Sequence, residues 1–153
     1  MKKICSPALI TVIIALFSLK SNAQSISYYP FNSILSVATN PSNALWADFR
    51  LQMNSATSTL NTEVAPMINV AFTRNANFYV GGGVNFGVLG YVVNKDKIVK
   101  GFFGSIGTRA YPFEKAQRVG INFELSPYVD RNGESGLLRA WFGVSYNFGR
   151  SNN

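Results

Sequence analysis

From Ala44 onward, apolar and polar residues alternate with a period of two, and the alternation restarts six times. In "ALWADFRLQMN", Leu45, Ala47, Phe49, Leu51 and Met53 share one parity, while Trp46, Asp48, Arg50, Gln52 and Asn54 share the other. "TEVAPMINVAF" sets Val64, Pro66, Ile68, Val70 and Phe72 against Glu63, Ala65, Met67 and Asn69. "FYVGGGVNFGVLG" opposes Phe78, Val80, Val84, Phe86 and Val88 to Tyr79, Asn85 and glycines. "IVKGFFGSIGTRAYPF" alternates more weakly, with Phe102, Ile106 and Ala110 facing away from Phe103, Ser105, Arg109 and Tyr111. "RVGINFELSPYV" and "LLRAWFGVSYNF" are the most regular. Successive side chains of a strand point to opposite faces, so this period predicts strands. The pieces between them, "TRNAN", "NKDK", "EKAQ" and "DRNGESG", are turn-rich, and no useful helical period follows residue 23. The expectation is an all-β, antiparallel up-and-down barrel, with six strands read directly and eight allowed.

Periodicity does not say which parity faces inward. A soluble barrel would bury the apolar set, and a membrane barrel would turn it out into lipid. Two features favour the second. Each segment runs to about 10–14 residues, close to the 9–11 of a tilted membrane-crossing strand and longer than the 5–6 usual in soluble sheets. The ionisable residues Asp48, Arg50, Glu63, Arg109, Glu124 and Arg139 all fall on the polar parity, and most others fall in turns. A charge on a lipid face costs about 2–4 kcal/mol at mid-membrane, so a membrane barrel requires this distribution. The expected lumen is a charge network of those six residues, three acidic and three basic. The expected lipid-facing set is Leu45, Phe49, Leu51, Val119, Ile121, Phe123, Phe142 and Val144. Lys100 breaks the rule on the apolar parity and is expected to snorkel to the interface. Inward glycines alternating with Trp46, Tyr79 and Trp141 fit either a filled small barrel or local bends.

Closure is less readable. Residues 24–43 carry Pro30 and "TNPSN" as breaks and would have to supply any further strand. Another protomer is the alternative, since an open edge is not tolerated in lipid. Pro66, unable to donate to a ladder, predicts a bulge or an edge.

The first 23 residues add a compartment. Lys2 and Lys3 precede the apolar run "ALITVIIALF", and "SNA" supplies a small-x-small cleavage site, so residues 1–23 read as a secretory signal. Residues 24–43 then form an N-terminal segment, 44–149 the barrel and 150–153 a tail. The lone Cys5 lies before the apolar run. The formal charge of +7 falls to +4 once Lys2, Lys3 and Lys20 are removed, leaving 11 basic residues against 7 acidic. That balance gives no case for nucleic acid. The chain has no histidine, so the usual general base and His/Cys metal sites have no residues to build on, and no cofactor is expected. Asp48, Glu63 and Glu124 could in principle form a hydrolytic carboxylate pair on a glycan, but arginines on the same face favour ion pairing.

With "YPF" before a turn, "ELSPY" within a strand and a final "WFGVSYNF", the chain resembles the small outer-membrane β-barrels of Gram-negative bacteria, the OmpA/OmpX-like class. Its signal, ending "SNAQ", is similar to those of Bacteroidota-like exported proteins. The resemblance covers roughly residues 44–149 and implies an outer-membrane location. It also implies a terminal aromatic, Phe148, read by the barrel-insertion machinery, here followed by a five-residue tail. The expected role is structural or accessory to the envelope, alone, as a homo-oligomer or in a larger complex. Lys95, Lys97 and Lys100 could meet lipid-headgroup phosphates. A soluble periplasmic, lipocalin-like barrel binding a small apolar ligand is the competing reading.

Overall fold

The computed structural model describes residues 24–55, 60–95, 97–113 and 115–149. Residues 1–23, expected to be an export signal, and residues 150–153 lie outside the described residues. The strands are β1 (Ser25–Tyr29), β2 (Ile34–Ala38), β3 (Leu45–Gln52), β4 (Asn61–Phe72), β5 (Ala76–Gly87), β6 (Val99–Ala110), β7 (Val119–Asp130) and β8 (Gly136–Asn147). Each pairs antiparallel with its sequence neighbours, and β1 pairs with β8, which closes an eight-stranded up-and-down barrel. The six alternating segments are β3 to β8.

Residues 24–43 supply the missing two strands, so the barrel begins at Ser25 rather than at Ala44. Pro30 is where the chain reverses. It opens a 3-10 turn, Pro30–Asn32, in which its fixed φ fits and its missing N–H costs nothing. Ser33 ends that turn in the left-handed region at φ 51. The even strand number returns both ends of the described chain to one rim, where Phe148 N donates to Gln24 O at 2.8 Å.

The parity is that of an inverted protein. Glu124 is 0 % exposed while Val144 is 50 % exposed. The largest fully buried side chains include Trp141, Arg50, Arg109, Tyr29, Tyr79, Met67, Glu63 and Glu124. Outside, Leu45, Phe123 and Phe142 are exposed, and Phe49, Leu51, Val119 and Ile121 are partly so. Phe72, Phe78, Tyr146 and Phe148 are exposed together towards the rim that holds the termini, and Tyr146 meets Phe148 edge-on at 5.0 Å.

Inward glycines face aromatics. A Cβ on Gly107 would lie 2.6 Å from the Tyr79 hydroxyl, and one on Gly143 would lie 2.6 Å from the Tyr29 ring. Neither glycine has positive φ, so space, not backbone bending, requires them. This decides between the two readings in favour of a filled lumen.

Three local expectations need correction. Pro66 makes neither edge nor bulge. Val64↔Val84 and Met67↔Gly81 keep one register across it, and the bulge comes later, between Asn69 and Ala71. Continuing that register sets Pro66 opposite Gly82, which pairs with Gly104, which in turn falls opposite Pro127. The missing N–H donors thus lie against residues with no side chain to crowd them. Second, β5 ends at Gly87, and the apolar run that follows folds as a short helix, α1 (Val88–Asn94). Third, Lys100 does not snorkel outward. Asn85 pairs with Gly101 and Phe86 with Val99, so Lys100 is the extra residue of a bulge, turned against Gly87 on the inner parity.

The wall is uneven. β1 and β2 have five residues each, while β4 to β8 have twelve. Val144 is the last residue of β8 paired with β1. Gly143 still lies against Tyr28 and Tyr29, and among the described residues 136–142 have a ladder partner on the β7 side alone.

Candidate functional site

The interior is organised around Arg50. Asp48 and Arg50 are two apart on β3 and share its inward face, and Glu63 is the cross-strand partner of Arg50 on β4. Glu124 reaches in from the opposite wall. Arg50 Nε lies 2.8 Å from Asp48 Oδ2, its Nη2 lies 2.9 Å from Glu124 Oε2, and its Nη1 lies 3.8 Å from Glu63 Oε2. Arg139 joins through Nη1, 2.6 Å from Glu63 Oε1, and donates from Nη2 to Ser126 Oγ at 2.8 Å. Neutral groups supply further bonds, although Glu63 Oε2 is left without a hydrogen-bond partner. Glu124 accepts from Ser105 Oγ at 2.8 Å and from the Tyr79 hydroxyl at 3.0 Å, Glu63 accepts from Asn85 Nδ2 at 2.9 Å, and Asp48 accepts from Ser36 Oγ. Arg50 and Arg139 both lie over the Trp141 ring, at 4.6 and 4.8 Å. Planar guanidinium suits this duty, because it bonds several carboxylates and stacks on aromatics at once.

Arg109, expected in the same network, stands apart from it. Its Nε donates to Asn122 Oδ1 at 3.0 Å, its Nη1 and Nη2 reach Ser25 and Ser27 at 3.4 and 3.5 Å, and it lies over Trp46 at 5.4 Å.

The rim that holds the termini is closed by the loop between β2 and β3. Pro41 is fully buried, and Asn69 Nδ2 donates to Pro41 O at 2.8 Å and to Asn43 O at 2.6 Å. Asn77 reaches Pro41 O at 3.2 Å, and Asn147 reaches Ser42 Oγ at 3.4 Å. Trp46 Nε1 donates to Asn69 Oδ1 at 3.4 Å. Asn69, Trp46 and Trp141 carry the same parity as the charges, so the period alone could have nominated them. Nothing in it nominates Pro41.

The opposite end holds a cavity of about 420 Å³. The amides Gln52, Asn61 and Asn85 line it, with the cations Lys100 and Arg139 and with Tyr128 and Leu137. That lining carries two cations and no carboxylate, and it draws on β3 to β8 but on neither β1 nor β2. Arg139 Nε is itself buried and has no hydrogen-bond partner. Lys95 and Lys97 lie exposed in the segment between α1 and β6, and Lys95 caps α1 at φ 57.

Each of Asp48, Glu63 and Glu124 has an arginine within ion-pairing distance.

No family model matches this chain, and no curated protein matches it. Among solved structures, it is similar to a chain from the de novo design of transmembrane β-barrels, with 15% identity over 82% of this chain and 91% of that one and a TM-score of 0.47.

Proposed function

We propose that this chain is a small outer-membrane β-barrel with a filled, ion-paired lumen and a structural or accessory role in the envelope. The observation that carries the reading is the inversion of the fold: buried Arg50, Glu63 and Glu124 inside, and exposed Val144, Phe123 and Ile106 outside. Water would reward the opposite arrangement, and hydrocarbon rewards this one. An ion-paired interior capped by residues 39–43 also leaves no wide aqueous pore, and it gives a soluble apolar-ligand barrel no apolar chamber.

In this reading residues 1–23 are the export signal, and Phe148, exposed beside Tyr146 just past β8, is the aromatic offered to the insertion machinery. Lys95 and Lys97 face headgroup phosphates. Fractionation of the expressing cell tests the proposal. The chain should pellet with the outer membrane and migrate faster unheated than boiled. A chain recovered from the soluble periplasm would refute it.

A further inference from the structure

The cavity at the end away from the termini matches nothing that a purely structural barrel needs, and the wall beside it is low. We infer that this cavity takes the head of an anionic amphiphile, a phosphate or carboxylate on an alkyl chain, entering sideways over the short strands β1 and β2. The inference rests on the membrane reading above.

The head side is mostly polar. Lys100 and Arg139 bring positive charge beside the amides Gln52, Asn61 and Asn85, while Glu63, which does not itself line the cavity, holds Gln52, Asn85 and Arg139 in place. Lys100 is there because of the bulge opposite Asn85 and Phe86, and a regular strand would have pointed it outward. Gly87 makes the room, since a Cβ at that position would collide with the Lys100 chain, 2.5 Å from its Cε. Arg139 is held in the lining by Glu63 and Ser126 through its terminal nitrogens.

The tail side is apolar and open. Over residues 136–142 β8 has no ladder partner on the β1 side. Leu138 on that free stretch is 68 % exposed, and Phe31 on the turn between β1 and β2 is 83 % exposed. An alkyl chain leaving the cavity across this gap would meet these two side chains and then the bilayer. A free inorganic anion would use only the polar half of the site.

Native mass spectrometry of the full-length protein, released from dodecyl maltoside, tests this with dodecyl phosphate and inorganic phosphate as probes. One dodecyl phosphate should be retained per chain. Lys100→Gln should weaken retention at least tenfold, and Lys97→Gln should leave it unchanged. Tenfold excess inorganic phosphate should fail to displace the amphiphile. Equal retention by Lys100→Gln, or displacement by inorganic phosphate at equal concentration, overturns the inference. Heat-modifiable migration is scored on the same preparations. A heat-modifiable chain that does not bind loses this inference alone, and a chain that is soluble without detergent loses the membrane reading as well.

Discussion

Arg50 Nη2 sits 2.9 Å from Glu124 Oε2 across the lumen, although 74 residues separate the two in sequence. This pair ties β3 to β7, which share no ladder, and it braces the barrel across its width. Replacing Arg50 by Met should therefore cost more than a surface change. It would leave Asp48 and Glu124 buried with their shared cation gone. Breaking one side of such a pair costs about 3–5 kcal/mol. Urea unfolding in detergent micelles, followed by tryptophan fluorescence, should show a loss of that size, and Glu124→Gln should show a smaller one because Arg50 keeps Asp48.

The outer face gives a prediction of opposite character. Ile106 is 64 % exposed near the middle of β6. In a bilayer, Ile106→Arg should destabilise the barrel by about 2–4 kcal/mol. On a water-facing surface the same change should fall within about 0.5 kcal/mol. Folding titrations into liposomes separate the two outcomes.

Gly107 makes room for Tyr79. Gly107→Leu should displace that ring and weaken its bond to Glu124, at a cost of about 1–3 kcal/mol for overpacking. In a double-mutant cycle, Tyr79→Ala should recover part of the loss, because the two residues compete for one space. Additive costs would mean that the close approach does not matter.

Three amides, Asn69, Asn77 and Asn147, hold the capped rim, and Asn69 makes the two shortest bonds. Asn69→Ala removes the donor that holds both Pro41 O and Asn43 O, which should cost about 1–3 kcal/mol. It should also let proteinase K cut within residues 39–44 of the folded barrel, where the parent resists.

Much of this architecture is written in the alternation, and the reason is geometric. Once Asp48 and Arg50 belong to a strand, both must point the same way, and the same holds for Glu124 with Ser126 and for Arg139 with Trp141. The alternation is silent wherever the backbone stops being regular. β1 and β2 are five residues each around Pro30, too short for a period to declare itself. A single inserted residue turned Lys100 from the outer face to the inner, and no residue type announces such a bulge. In "VLGYVVN" the apolar character continues past Gly87, so the end of the strand is hidden. Arg109 has the right parity for the charge network, but its height along β6 sets it beside Asn122 and the serines of β1 instead.

The low side of the wall also bears on the surrounding lipid. Tilted by about 40°, five residues of strand rise about 12 Å and twelve rise about 30 Å, against an apolar band near 25 Å. A bilayer meeting this barrel would match it along β4 to β8 and be pinched along β1 and β2. Such one-sided mismatch is relieved when the molecule leans, or when the leaflet dimples beside the short strands. A barrel of this shape would sit askew and would favour thinner membrane.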